Sequence, residues 1–315
     1  MNLETKKNIA EKVAAYIKSH DLRQSSLANR VGVPKEYLTS ILRGIFTYDA
    51  GKGNVGDIPE RHFKKLAELV DFSLEKQYWK NRATPQLTQM IAILEEAKQH
   101  AYTRLIIGET GSGKSHTLEL YAKKNPSSVF FVKVGSEDTL NILLDKVAKV
   151  LRVPLRRHKS QKIRDISMTL ESLYLQGKTP QLIFDESEYL KVSALCSIKE
   201  FYDYLDKHCS IVLIGTNQLT DQIDKLRRKD ARGIPQLYRR IKFGVRRLPS
   251  IDKTFKQFLN EIEDRQLVRF LQTECANYGE LHDVLVPCMR EADRIDEPLT
   301  LNFVKKILNF QQQVA

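Results

Sequence analysis

Hydrophobic positions along the chain follow two different periods, and the changes between them divide the sequence. Near the start, Ile9, Val13 and Ile17 are four residues apart, which is the spacing of one face of an α-helix. Further along, short apolar runs alternate with helical stretches, and beyond about residue 252 only helical periodicity remains. The pattern predicts a small helical domain, an α/β domain and a helical subdomain, at residues 1–80, 81–250 and 251–315.

Short apolar runs in the middle part predict buried strands. They are "TRLIIG", "SVFFVKV", "PQLIFDE" and "SIVLIGT", each bounded by polar or turn residues. Helical segments separate these runs, and that alternation is typical of a parallel sheet with helices on both faces. We therefore expect an α/β fold with a parallel sheet at its centre.

Residues 24–43, "QSSLANRVGVPKEYLTSILR", have the spacing of a helix-turn-helix. Ala28 is the small residue where the two helices meet, Gly32 can take the positive φ that the turn requires, and Leu38 and Ile41 are apolar positions of the second helix. An ordinary helical hairpin is the alternative. The outward residues of the second helix are of types that reach bases or phosphates, and we expect them to contact DNA: Lys35, Thr39, Ser40 and Arg43.

Residues 47–57, "TYDAGKGNVGD", contain three glycines and no apolar periodicity, which predicts a loop. An amphipathic helix with Phe63, Leu66 and Leu69 on one face follows it. The N-terminal domain is therefore predicted to be small and all-α.

A glycine-rich stretch, "GETGSGKS" at residues 108–115, lies between the first predicted strand and a helix. Glycines let successive backbone N–H groups turn toward one anion, and the helix adds the positive end of its dipole. Lys114 would reach the β- and γ-phosphates, and the Ser115 hydroxyl would bind Mg²⁺. The sequence thus predicts a site for ATP and Mg²⁺ lined by Gly108, Thr110, Gly111, Ser112, Gly113, Lys114, Ser115 and His116.

Polar side chains end two of the later predicted strands. Asp185 and Glu186 follow "QLIF", and Asn217 follows "SIVLIGT". At the carboxyl edge of a parallel sheet, Asp185 would hold the metal ion, Glu186 would orient and deprotonate a water, and Asn217 would hydrogen-bond the γ-phosphate and that water. A solvated strand end is the alternative, but the phosphate loop upstream favours ATP hydrolysis.

These motifs together resemble the AAA+ ATPases, from about residue 85 to the end of the chain. The resemblance implies a parallel-sheet P-loop core with a C-terminal helical lid, assembly into a ring or helix, and an arginine that completes the site of a neighbouring subunit. "PQLYRRIKF" offers Arg239 and Arg240 for that role, and Arg240 best matches the family position. In the lid, "YGELHDVL" puts His282 where many members have a nucleotide-contacting arginine, so we expect weaker lid coupling.

The formal net charge of +12 indicates attraction to polyanions. Between Asp145 and Asp165 there are eight basic residues and no acidic one, and residues 225–247 carry ten basic residues against one acid. A solvated charged surface is the alternative, and the second run could serve a subunit interface instead. We expect the first run to contact double-stranded DNA through Arg156, Arg157, Lys159, Lys162 and Arg164.

Other features narrow the class of protein. No apolar run approaches the ~18 residues of a membrane span, and the charged start lacks the apolar stretch of a signal peptide, so we expect no membrane association and a cytoplasmic location. The four cysteines have no metal-ligand spacing, so neither a disulfide framework nor a zinc site is predicted.

Domain order and motifs also resemble the AAA+ ATPases of the transposition-regulator type, the family of the phage Mu B, IstB and TnsC proteins. That resemblance implies an ATP-dependent DNA-binding protein of a bacterial or phage-infected cell that oligomerises on target DNA as a ring or helical filament. It would deliver this DNA to a partner transposase of the DDE type. A helicase loader or replication initiator, and a nucleotide-sensing transcription regulator, are the alternatives.

Overall fold

The structure is a computed structural model, and it describes all residues except 2, 21, 52–53, 71, 73–77, 206 and 309–315. The chain folds as two compact units, Met1–Tyr78 and Trp79–Ala315. Each unit has a hydrophobic core of its own. Within the described ranges, no helix combines the length and the apolar character that crossing a membrane requires.

The N-terminal unit packs helices around a small apolar core. Ile9 and Val13 of the first helix are fully buried together with Leu38, Phe63 and Leu66 of later helices. Its elements are α1 (Leu3–Ser19), α2 (Gln24–Val31), α3 (Lys35–Leu42), β1 (Thr47–Gly51), β2 (Asn54–Asp57) and α4 (Glu60–Leu69).

The turn between α2 and α3 depends on a glycine. Gly32 has a φ of 66°, in the left-handed region that favours glycine, which confirms the predicted positive φ. After it, the Val33 N–H donates to the Ala28 carbonyl at 3.0 Å and closes the end of α2.

The prediction of an all-α N-terminal domain is wrong, because residues 47–51 and 54–57 form the two strands of a β-hairpin and not a loop. β1 and β2 pair antiparallel, with Thr47 opposite Asp57 and Tyr48 opposite Gly56. The Tyr48 ring lies so close to Gly56 that a Cβ there would be 3.0 Å from a ring carbon. Gly56 makes room for the Tyr48 ring but contributes no apolar side chain of its own. The two strands therefore lack the alternating apolar pattern by which a hairpin is recognised in a sequence.

The larger unit is built on a parallel five-stranded sheet. The four predicted strands are present, and a fifth, which has three residues of which two are arginines, was not marked by any apolar run. The strands are β3 (Thr103–Ile107), β4 (Val129–Lys133), β5 (Gln181–Asp185), β6 (Ser210–Gly215) and β7 (Val245–Arg247). Their order across the sheet is β4-β5-β6-β3-β7.

Alternate residues of each strand face opposite sides of the sheet, and helices cover both sides as predicted. The helices are α5 (Pro85–Gln99), α6 (Lys114–Lys124), α7 (Leu140–Val150), α8 (Lys159–Leu175), α9 (Val192–Leu205), α10 (Asn217–Arg228) and α11 (Ile234–Ile241). Leu105 and Ile107 share a core with the helices from α7 to α11, whereas Ile106 shares a core with α5 and α6.

A helical region with a separate core follows the sheet, as predicted. It consists of α12 (Lys256–Leu259), α13 (Arg265–Glu274), α14 (Tyr278–Ile295) and α15 (Leu301–Ile307). Trp79, the first residue of the larger unit, stacks on Phe258 with ring centroids 4.4 Å apart. The segment before α5 is therefore attached to this C-terminal helical region.

Candidate nucleotide-binding site

The glycine-rich loop joins the carboxyl end of β3 to the first turn of α6. Gly111 and Gly113 have φ values of 71° and 84°, which glycine adopts without strain. The Gly108 N–H donates to the Gly215 carbonyl at 3.1 Å, so the loop leaves the sheet beside the end of β6. Because α6 begins directly after Gly113, its unpaired N–H groups and its dipole lie where an anion would bind.

The ammonium group of Lys114 lies against the start of the loop. Its Nζ donates to the carbonyls of Gly108 at 2.9 Å and Glu109 at 2.7 Å. Burial lowers the pKa of Lys114, and the negative charges of Glu188 and Asp185 act in the opposite direction. The loop thus holds a cation whose partners are carbonyls and carboxylates, and an arriving phosphate would add negative charge to that environment.

Ser115 and Asp185 connect the loop to the end of β5. The Ser115 hydroxyl donates to Oδ2 of Asp185 at 2.6 Å, and Oδ1 accepts from the Glu186 N–H at 3.0 Å. Asp185 is only 2% exposed. A hydroxyl and a carboxylate in contact are hard oxygen ligands, and Mg²⁺ is usually bound by one or two such groups plus phosphates and water. The residues present therefore fit a magnesium ion bound together with a nucleotide.

Glu186 follows Asp185 with a φ of 54°, in the left-handed region. Its carboxylate pairs with Nζ of Lys133 at 2.8 Å, and the hydrogen bond and charge of Glu186 raise the pKa of Lys133. Lys133 is the last residue of β4 and lies opposite Asp185 in the register. Sequence reasoning missed Lys133 because a single lysine at a strand end forms no motif. The one signal was its position near the end of the predicted strand "SVFFVKV".

A further carboxylate, that of Glu188, belongs to the same edge of the sheet and was also missed. Its Oε2 is buried and has no hydrogen-bond partner within the described part of the chain. A Cβ built on Gly215 would lie 2.6 Å from that oxygen, so a larger residue at the end of β6 would displace the Glu188 carboxylate. The only sequence signal was the third acid in "DESE".

Asn217 is the first residue of α10, two residues beyond the end of β6. Its Oδ1 accepts a hydrogen bond from Nη1 of Arg247 at 2.6 Å. Arg247 ends β7, the strand that the apolar pattern did not predict. Asn217 therefore lies at the expected edge of the sheet with a cationic partner that sequence reasoning missed.

Comparison with known proteins finds a sequence family that matches part of the larger unit. Residues 97–223 match the sequence family described as AAA domain. The larger unit has the AAA+ P-loop fold. No curated protein sequence matches the chain.

Solved structures share this AAA+ fold at low sequence identity. ORC2 of Aeropyrum pernix, in its ADPNP-ADP complexes, has a TM-score of 0.52 and 14% identity, and the match covers 76% of this chain and 72% of that one. Cdc6p of Pyrobaculum aerophilum has a TM-score of 0.52 and 17% identity, with 71% and 66% of the two chains covered. At such identities the similarity establishes the fold.

The other predicted loop residues differ in their surroundings within the AAA+ unit. Thr110 and His116 are exposed, and His116 Nε2 lies 2.7 Å from Oδ1 of Asn81. Ser112 is 3% exposed, and its hydroxyl has no hydrogen-bond partner among the residues that the structure describes. Thr110 and Ser112 belong to the glycine loop by sequence, and among the described residues no contact of their side chains assigns either of them a role.

The helical region of the AAA+ unit touches the loop through Asn277 and not through His282. Gly111 packs so closely on Asn277 that a Cβ at Gly111 would lie 2.1 Å from its Oδ1. His282 is in contact with Asp283 at 3.0 Å and with the Trp79 ring at 5.2 Å between centroids. The structure therefore brings the start of α14 to the glycine loop, while the contacts of His282 lie elsewhere.

The two arginines of α11 have different partners. Arg240 forms an ion pair with Asp203 and lies 4.9 Å from the ring centroid of Tyr202. Arg239 is exposed. Together with Lys199, both arginines line an open groove on the surface of the AAA+ unit.

The basic run between Asp145 and Asp165 is only partly a free surface. Lys162 is 3% exposed, and its ammonium group binds Asn141 Oδ1 at 2.7 Å and Asp145 at 2.5 Å. The structure contradicts the expectation that Lys162 contacts DNA, because this cation is buried against partners within the domain. Arg156 is exposed but pairs with Asp165 at 2.8 Å.

Other predicted DNA contacts lie on the surface. Arg157, Lys159 and Arg164 of the AAA+ unit are exposed, as are Lys35 and Arg43 of the N-terminal unit. Thr39 and Ser40 are half-buried, and the Thr39 hydroxyl donates to the Lys35 carbonyl at 2.9 Å. Exposure leaves these cations available to phosphates, and the two hydroxyls are less accessible.

Proposed function

We propose that this protein binds and hydrolyses ATP at the glycine loop and binds double-stranded DNA in an ATP-dependent manner. The contact between Ser115 and Asp185 carries the proposal, since it joins the phosphate loop to the acidic end of β5. Lys114 would compensate the phosphate charge, and the loop N–H groups would bind the phosphate oxygens. The ADPNP-ADP complexes of ORC2 are a precedent for nucleotides on this fold.

Hydrolysis would use the carboxylate that follows Asp185. Glu186 would leave Lys133, accept a hydrogen bond from a water beside the terminal phosphate, and take its proton. Asn217 would donate from its amide to the same phosphate or water. Mg²⁺, held by Ser115 and Asp185, would neutralise charge that develops on the phosphate oxygens.

Each of the two units would offer exposed cations of its own to DNA. Arg157, Lys159 and Arg164 would contact phosphates, and α3 of the N-terminal unit would contribute Lys35 and Arg43. The supporting observations are the exposure of these residues and the net charge of +12.

Self-association would complete the site. We assign the arginine that reaches the neighbouring nucleotide to Arg239 in preference to Arg240, because Arg240 is bound to Asp203 in its own subunit while Arg239 is exposed. By its resemblance to the transposition regulators, the assembled protein would mark target DNA for a transposase of the DDE type.

Electron microscopy of the protein on duplex DNA tests this proposal. In Glu186→Gln the amide cannot take the proton of the water but keeps the shape of the site, so this variant should form filaments or rings in ATP that outlast those of wild type. In ADP both proteins should leave the DNA. Assemblies of Glu186→Gln that dissociate as fast as wild type would contradict the coupling of hydrolysis to release.

The same preparation separates the alternatives. Coating that depends on DNA length and tolerates any sequence supports the target-marking role. Binding confined to one operator sequence would support a transcription regulator, and discrete complexes that recruit a helicase would support a loader.

A further inference from the structure

Arg247 lies at the level of the sheet where the glycine loop begins. In the register of the sheet, Ile107 of β3 is paired with Gly215 of β6 on one side and with Arg247 of β7 on the other. Backbone hydrogen bonds continue on both sides, from Gly108 N–H to the Gly215 carbonyl at 3.1 Å and from Leu248 N–H to the Ile107 carbonyl at 2.8 Å. Arg247 and the end of β6 therefore flank the first residue of the loop.

The side chain of Arg247 extends across the end of β3 toward Asn217, which follows β6. Neighbouring strands are about 4.8 Å apart, so β6 and β7 are separated by about 10 Å. The side chains of Arg247 and Asn217 together bridge that separation, because Arg247 Nη1 donates a hydrogen bond to Asn217 Oδ1 at 2.6 Å. A guanidinium group thus lies over the strand that leads into the phosphate loop.

The chemistry of the two groups fixes the orientation of the amide. A guanidinium has only donors, so the one atom of the Asn217 amide that it can bind is the oxygen. The amide nitrogen, which only donates, is then left for another acceptor, and phosphate oxygens and water lone pairs are acceptors. Without Arg247 the amide could rotate by half a turn and present its oxygen to the phosphate, where two acceptors would repel each other.

We propose that Arg247 is a positioning residue that orients the Asn217 amide so that its nitrogen donates to the terminal phosphate of ATP or to the attacking water. This inference rests on the hydrolysis proposed above. Arg247 acts through Asn217, so its loss affects turnover and leaves nucleotide affinity nearly unchanged.

A double-mutant cycle on ATP hydrolysis tests the inference in the full-length protein. Arg247→Ala should lower kcat by about 10- to 100-fold, as expected when a reacting group is misoriented, with the Kd for ATP within about threefold of wild type. In an Asn217→Ala background the same substitution should lower kcat further by less than about twofold. Arg247→Lys and Arg247→Gln, which can each donate to Oδ1, should regain part of kcat.

Arg246 provides the matched control, because it precedes Arg247 in β7 and its Nη1 donates to the carbonyls of Phe243 at 3.0 Å and Val245 at 3.1 Å. In the corresponding cycle, the effects of Arg246→Ala and Asn217→Ala on kcat should be independent, with a coupling energy of zero. Multiplicative losses in Arg247→Ala and Asn217→Ala, or a loss of ATP affinity that persists without Asn217, would overturn the inference in favour of a direct phosphate contact. A wild-type protein without ATPase activity would instead refute the proposed function.

Discussion

Replacing Lys133 with methionine removes the cation that pairs with Glu186 and keeps a side chain of similar length. The Lys133 side chain is 64% exposed and that of Glu186 is 34% exposed. Ion pairs of this exposure contribute about 0.2–1 kcal/mol to stability. If Glu186 must leave Lys133 to contact the water, Lys133→Met lowers the barrier by no more than that amount.

A barrier lower by about 1 kcal/mol corresponds to a kcat about fivefold higher. We therefore expect phosphate release at saturating ATP to rise by up to about fivefold, with KM for ATP unchanged. Lys146→Met is the matched control, since Lys146 pairs with Asp138 at 2.5 Å and donates to the Lys133 carbonyl at 3.0 Å but not to Glu186. A kcat that falls tenfold or more in Lys133→Met, with the control unchanged, would show that Lys133 takes part in the reaction and does not merely restrain Glu186.

Three further predictions concern other residues. Lys162→Ala should lower the free energy of unfolding by about 2–4 kcal/mol, because it leaves Asp145 and Asn141 without the ammonium group that binds them. The DNA affinity of this variant should match wild type, and a loss of affinity as large as that of Arg157→Ala would show that Lys162 contacts DNA. Arg239→Ala subunits should bind ATP but hydrolyse it about 10³-fold more slowly on DNA, and mixing them with Glu186→Gln subunits should restore part of the ATPase activity. If ATPase activity recovers only in mixtures of Arg240→Ala with Glu186→Gln, the assignment to Arg239 is wrong. Burial, with Arg61 and Lys65 nearby, lowers the pKa of His62 from 6.5. The folded state thus binds the proton less readily than the unfolded one, so the hydrogen-exchange protection of α4 should weaken as the pH falls below 6.5. His62→Gln should remove this pH dependence, and an unchanged profile would contradict it.

Residues of the site that lie within sequence motifs could be predicted because a parallel sheet collects the carboxyl ends of its strands at one edge. The glycine loop, Asp185 and Asn217 each follow an apolar run, and the topology places those runs next to one another. The local sequence was sufficient to predict where these residues lie, since each motif lies at or just after the end of a strand.

Residues that depend on pairing in space were not predictable in this way. Lys133 and Arg247 sit at strand ends without any motif, and β7 has too few apolar residues to be recognised. Lys162 was predicted to be part of a basic surface because it lies in a run of basic residues. Its ion pair with Asp145, which is 17 residues earlier, depends on the packing of α7 against α8 and leaves no local sequence pattern. The hairpin was missed because its packing uses a glycine under an aromatic ring.

We expect the loop at residues 108–115 to bind ATP and the acidic end of β5 to hydrolyse it. Single-turnover hydrolysis of labelled ATP, with bound nucleotide and product measured in the same sample, distinguishes binding from conversion in wild type, Lys114→Ala and Glu186→Gln. Wild type should bind and convert ATP, Glu186→Gln should bind ATP without converting it, and Lys114→Ala should lose about 10- to 100-fold in affinity because a charge-assisted contact to the phosphates is gone. Wild-type affinity in Lys114→Ala would exclude the loop as the ATP site, and wild-type conversion in Glu186→Gln would exclude Glu186 as the catalytic base.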